Sequence, residues 1–173
     1  DGEPPPHGTR FQVLWGDGAI YFGIRCEDEP ENTVNISTTE SNTPNIWNGD
    51  HVEILLETDK HSYYQIVINP AGAVIGLDRA VSLGKAFRWS SKTEVGTHIG
   101  DDYWSLEVRI PVVEQTDDPL HLVVGSKPTS DLPWYFNLCR KRIRGDDVEL
   151  SGFSPTGESD FHKILKFGKL YSK

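Results

Sequence analysis

Apolar and polar residues alternate along most of this chain. Val52, Ile54 and Leu56 fall on one face of a run whose other face carries His51, Glu53, Leu55 and Glu57. The same period separates Tyr64, Ile66 and Ile68 from Tyr63, Gln65, Val67 and Asn69. It is cleanest where Trp104, Leu106, Val108 and Ile110 oppose Ser105, Glu107 and Arg109. Successive side chains of a strand point to opposite faces, so these runs predict strands with one buried face. Phe11, Val13 and Trp15, the turn Gly16-Asp17-Gly18, and Ile20, Phe22 and Ile24 predict a β-hairpin over 10–26. Further strands are expected at 74–77, 95–99, 120–124 and 134–144, with Pro70-Ala71-Gly72 as a tight turn. Pro111 is expected to end the strand that begins at Trp104, and Val112 to Gln115 are the one place where a helical turn is expected. Residues 27–48 read as a long polar loop, 78–92 as irregular, and 145–162 as polar and glycine-rich. Phe161, Ile164, Leu165, Phe167 and Leu170 close the chain around a bend at Gly168. Nothing else carries a 3.6-residue period. The pattern predicts an all-β fold, a mostly antiparallel β-sandwich of jelly-roll-like or immunoglobulin-like form. Residues 1–9, with three consecutive prolines, form an extended lead-in, and 10–173 form a single sandwich domain.

Composition narrows the function. A chain of 173 residues suits one domain that buries its core without staples. The net charge of -9 disfavours a phosphate backbone as partner, so no nucleic acid is expected. Arg140-Lys141-Arg142-Ile143-Arg144 is the local exception, read as residues divided between the two faces of a strand rather than one basic patch. No run of 18 apolar residues is present, so no membrane span is expected, and no signal peptide is read at the start. A chain that opens at Asp1 and contains no Met reads as a piece of something longer. Cys26 and Cys139 are compatible with either a disulfide or two buried thiols.

The tryptophans carry the candidate chemistry. Trp104 and Trp15 are in phase with apolar neighbours and read as core, and Trp89 is open between rim, ligand contact and core. Trp47 differs, because Trp47-Asn48-Gly49-Asp50 sets a large aromatic in a polar turn beside a strand that alternates acidic and apolar residues. A pyranose stacks its apolar C–H face on such a ring while nearby polar groups take its hydroxyls. Trp47 and Trp134 are therefore candidate platforms, and Glu53, Asn137 and Arg140 are candidate hydroxyl partners, with His51 and Gln65 behind them. No metal-site cluster, nucleophile triad or haem-attachment motif accompanies them. A catalytic reading rests only on Glu53 and Glu107 as a carboxylate pair, which a hydrolase needs about 5 to 10 Å apart across a cleft.

Taken in order, several stretches resemble the family 9 carbohydrate-binding modules in their broad form. They are Val13 to Tyr21, Trp47 to Ile54, Tyr64 to Gly72, Trp104 to Pro111, Phe136 to Arg140, Ser154-Pro155, and Phe161 to Leu170. The resemblance spans nearly all of 10–171 and implies a jelly-roll-like sandwich. It also implies a sugar held between two aromatic platforms, with polar residues gripping a reducing end. Trp47 matches one platform. The family often has Trp before Ser-Pro where this chain has Phe153, so Phe153 or Trp134 would supply the second. Structural calcium occurs in the family. Calcium takes six to eight oxygens, and Asp28, Glu29, Glu31, Asp101, Asp102, Asp146, Asp147 and Asp160 are the candidate donors.

The expectation is a non-catalytic binder of oligo- or polysaccharide that needs no cofactor beyond possible structural calcium. It is an extracellular or periplasmic module joined to other domains of a longer chain, which would process polysaccharide. The alternatives are a structural or protein-interaction sandwich that has lost sugar binding, and a component of a glycoside hydrolase.

Overall fold

The computed structural model describes residues 3–30, 34–115 and 122–172. Two β-sheets pack face to face. The first has the order β1 (Thr9–Gly16), β2 (Ala19–Glu27), β7 (Tyr103–Val113) and β6 (Glu94–Ile99), with β8 (Val123–Val124) running parallel to the end of β7. The second has the order β10 (Asp147–Gly152), β9 (Trp134–Arg144), β3 (His51–Glu57), β4 (Tyr64–Ile68) and β5 (Val74–Asp78). A short β11 (Gly168–Leu170) pairs with the start of β9. All pairings except β7–β8 are antiparallel. This is the β-sandwich that the alternation predicts.

The inner faces follow the sequence pattern. Ile20, Phe22 and Ile24 of β2 and Trp104, Leu106, Val108 and Ile110 of β7 meet Val52, Ile54 and Leu56 of β3, Tyr64, Ile66 and Ile68 of β4, and Phe136 and Leu138 of β9. Each aliphatic or aromatic side chain so buried contributes about 1.5–3 kcal/mol. Trp89 joins this core by stacking on Tyr64, with ring centres 4.6 Å apart. Trp15 is half-buried and meets the edge of buried Trp134 at 5.5 Å. At the β1–β2 turn Asp17 and Gly18 both take positive φ, 49° and 66°. That is the backbone a two-residue hairpin needs to match strand twist.

Several expectations are corrected. Pro111 does not end β7, and Val112 and Val113 are strand rather than helical turn. The amide of Val112 donates to Gly18 O on the β2 side, so by alternation the nitrogen of Pro111 faces the other side. There β6 has already ended, with Glu94 opposite Arg109, and a missing donor costs little. The segment 145–162 contains β10, whose Val148 and Leu150 stay exposed and so give no burial signal. Residues 78–92 contain one helical turn, α1 (Leu83–Ala86), and the polar loop ends in a 3-10 turn, Pro44–Asn48. Of the strand expected at 120–124, only Val123–Val124 is seen, and 120–121 lie outside the described residues. Cys26 and Cys139 are both free and buried.

The basic run also differs. Arg140, Arg142 and Arg144 are two residues apart and so share one face, where all three converge on Asp28. Arg142 donates to Asp28 Oδ1 at 2.9 and 3.0 Å, Arg140 reaches Oδ2 at 3.5 Å, and Arg144 pairs with both Asp28 and Asp50. Arg140 also donates to the carbonyls of Glu27, His7 and Gly8, and this ties the lead-in to the sandwich.

Candidate functional site

The outer face of the β10–β9–β3–β4–β5 sheet gathers the polar residues that the core excludes. Cross-strand register lays them in rows. Cys139, Glu53, Val67 and Ile75 form one row, and Asn137, Leu55, Gln65 and Leu77 form the next. Beyond them Tyr63 and Arg79 lie opposite each other, joined by the Arg79 amide to Tyr63 O at 3.0 Å. The Pro70-Ala71-Gly72 turn fixes this register, so the strand ends bring Tyr63 and Arg79 together.

Glu53 is the centre of the array and is 5% exposed. Its Oε1 accepts from His51 Nε2 at 3.2 Å and its Oε2 from the Gln65 amide at 2.6 Å. Gln65 Oε1 in turn accepts from Arg79 Nε at 2.7 Å. His51 Nδ1 lies 2.8 Å from Gly49 O. Both ring nitrogens of His51 therefore face acceptors, and both bonds form together only when the ring carries two protons. Burial alone would push the Glu53 carboxyl up. The bond and charge of His51, with the Gln65 amide and the nearby His162, outweigh it and hold Glu53 below the usual carboxylate range. Burial lowers the pKa of His162, helped by the charge of Arg79 and opposed by Glu53 and Asp160. Tyr63 Oη lies 3.3 Å from His162 Nδ1. Beyond its Nε, the Arg79 guanidinium makes no further hydrogen bond among the described residues, so the terminal nitrogens of its fork remain available donors.

Apolar groups border this polar line on both sides. On one side Trp47, half-buried in the 3-10 turn, packs on a cluster that includes Val67, the cross-strand partner of Glu53, and Leu77, the partner of Gln65. Phe87 meets the Trp47 ring edge-on at 6.4 Å and is 49% exposed. On the other side Tyr63, Phe161 and Ile164 pack around Leu55, Cys139 and Phe167. The rest of the Trp-Asn-Gly-Asp turn is anchorage. A side chain at Gly49 would stand 2.5 Å from Asn35 O. Buried Asp50 accepts from the amides of Asn35 and Ile143 and from Arg144. The carbonyl of Trp47 accepts from Lys141 Nζ at 3.1 Å.

Of the six residues proposed from sequence, this face brings together Trp47, Glu53 and Asn137. Asn137 is already engaged, as its amide makes two 2.9 Å bonds with the backbone of Ser154. The other three are placed elsewhere. Trp134 is fully buried in the core, with its indole N–H donating to Asp59. Arg140 turns inward to Asp28. Phe153 lies at the margin of the sandwich between Phe11 and Phe136, at 5.1 and 5.0 Å. Glu53 and Glu107 point outward from opposite sheets, so they cannot flank one bond as a carboxylate pair. Glu31 lies outside the described residues. Among those described, the named acidic residues form no group of three or more His, Cys, Asp or Glu able to hold a metal, and Asp28 is engaged by arginines. Sequence reasoning missed Arg79, Tyr63 and His162. Register counted outward from the Gly72 turn would have paired the first two, but nothing local marks His162.

No protein-family model and no curated protein matches the chain. Solved structures do. A protein from Bacteroides uniformis proposed to bind carbohydrate superposes with a TM-score of 0.68 at 16% identity, covering 95% of this chain and 78% of its own. A family 9 carbohydrate-binding module from Caldicellulosiruptor kristjanssonii, solved with glucose, gives 0.65 at 14% identity over 99% of this chain and 80% of its own. The same module with cellotriose gives 0.63 at 15% identity, over 99% and 79%. The fold is thus that of the family 9-like carbohydrate-binding modules, over nearly the whole chain.

Proposed function

We propose that this chain binds carbohydrate without catalysis on the outer face of the β10–β9–β3–β4–β5 sheet. In this reading a sugar ring stacks on Trp47, and Arg79, Glu53 and Gln65 order its hydroxyls. The observation that carries it is a partly exposed indole packed on the same sheet face as the hydrogen-bonded line Glu53–Gln65–Arg79, which ends in unspent guanidinium donors. A planar fork of donors on the same face as an apolar platform suits a ring with one apolar face and vicinal hydroxyls. The glucose and cellotriose complexes of the similarly folded module support the ligand class. Tyr63 and His162, rather than Trp134 or Phe153, are the groups placed to supply the opposite wall. An extracellular setting and a polysaccharide-processing parent chain follow from the same reading.

The packing of Trp47 on the cluster that contains Val67, Ala73 and Ile75 favours a second reading, in which the indole is a plug and the module a protein-interaction sandwich. Intrinsic tryptophan fluorescence separates the two. Titration with glucose, cellobiose, cellotriose, xylobiose and galactose should give a saturable shift that Trp47→Ala removes while the variant stays folded. A flat response to every sugar in the native protein would favour the plug.

A further inference from the structure

The opposite sheet carries a second feature that the Trp47 reading leaves unused. Across its outer face Gln12, Gly23, Glu107 and Gly96 stand in one register row, one from each of β1, β2, β7 and β6. Two glycines thus flank Glu107 from both neighbouring strands. The sheet dips there, and two adjoining hollows of about 860 and 530 Å³ share Gln12, Gly23 and Glu107. With strands about 4.8 Å apart, the row spans about 14 Å across the sheet, longer than one pyranose ring. The walls are ordered. On one side Arg109 donates to Tyr21 Oη at 3.3 Å and to Glu94 at 2.7 Å, and Leu14 beside them is 68% exposed. On the other side Arg25 lies 3.4 Å over the Tyr103 ring and bonds Glu27. In the floor, by contrast, the side chains of Gln12 and Glu107 make no hydrogen bond or ion pair among the described residues.

We infer that this trough is a second binding surface, for an uncharged oligosaccharide chain lying across the strands. Electrostatics select the occupant. Although the chain is acidic overall, Arg10, Arg25 and Arg109 here offset all but one of the charges of Glu27, Glu94, Glu107 and Asp102, which leaves the face close to neutral, a poor match for a polyanion or a polycation. Exposed apolar surface is limited to Leu14 and parts of Tyr21 and Tyr103, too little for the apolar centre of a protein interface. An amide and a carboxylate with unspent hydrogen-bonding capacity, set in a trough with aromatic and aliphatic borders, match a hydroxylated neutral chain. The inference goes beyond the Trp47 site and does not depend on it.

Backbone amide NMR with cellohexaose and xylohexaose tests it. The amides of Gly23, Gly96 and Glu107 should shift saturably with at least one of them, and should do so equally in Trp47→Ala. Gly23→Trp should abolish those shifts. A Cβ at Gly23 meets no atom within 4 Å and the backbone there is extended, so a side chain can start from this position and project into the trough. Glu107→Ala should weaken binding about tenfold, equivalent to about 1.4 kcal/mol. Three outcomes would overturn the inference. They are silence at these amides with both sugars, shifts confined to β3 and β4, and shifts that grow with protein concentration alone, which would assign the face to a second copy of the chain. The β3 and β4 amides report the Trp47 site in the same spectra, so failure at one face is read apart from failure at the other.

Discussion

Asp28 and Glu53 are both carboxylates withdrawn from water and held below the usual range, yet they are finished to different degrees. Asp28, with its side chain 3% exposed, sits among three guanidiniums, and Asp50 shares one of them. Burial pushes its pKa up, and the Arg142 bond with the charges of Arg144 and Arg142 brings it back below the ordinary value. Glu53 has one imidazole and one amide, and its line runs out to Arg79, whose outer donors are unspent. A carboxylate saturated by permanent cations has no capacity left for a ligand and acts as a clasp. One held by neutral or titratable partners at the end of an open chain can still reorganise around a hydroxyl. The two networks lie on opposite sides of the same sheet, because alternation sends Arg140 inward and Cys139 and Lys141 outward on β9.

Three measurements sharpen that contrast. The largest effect is expected from Asp28→Ala, which removes the carboxylate that three arginines share and leaves them only their secondary partners. Removing one partner of a buried ion pair costs about 3–5 kcal/mol, and chemical denaturation should show a loss of that order. Sugar affinity of the folded fraction should be unchanged. A loss below about 1 kcal/mol would mean that the clasp is not what holds the lead-in and β9 together. Next, Arg79→Ala should lower sugar affinity about tenfold or more, with stability changed by less than about 1 kcal/mol. Equal losses of stability and affinity would make Arg79 a fold residue. The smallest effect is acid sensitivity. Asp28 and Glu53 have depressed pKa values, so their stabilisation is complete above the ordinary carboxylate range and is lost as pH falls through their folded values. His162, depressed from 6.5, adds a component present above that value and lost as pH falls below it. Denaturation midpoints at about pH 7, 5 and 3 should therefore decline in two stages, and His162→Gln should remove the first.

The strands of the core were legible because burial on one face imposes a two-residue period, as in β3, β4 and β7. β10 was not, because Val148 and Leu150 face solvent and their alternation records no burial. Arg140 was misassigned for a related reason. Its position in the alternation is an inner one, but its charge argued for the surface, and the carbonyls of Glu27, His7 and Gly8 with the carboxylate of Asp28 make burial tolerable. At the candidate site, Trp47 and Glu53 lie six residues apart and could be seen together. Arg79 enters through hairpin register and His162 through a distant loop, and such meetings are properties of topology rather than of local pattern.

The two thiols have a practical consequence for anyone who handles this chain. Burial pushes Cys26 up to about 12 and raises Cys139 as well, so neither supplies thiolate at neutral pH. The folded protein is in effect thiol-silent. A single cysteine introduced at an exposed position such as Ser130 would carry a dye or a surface tether alone, with both native cysteines left in place.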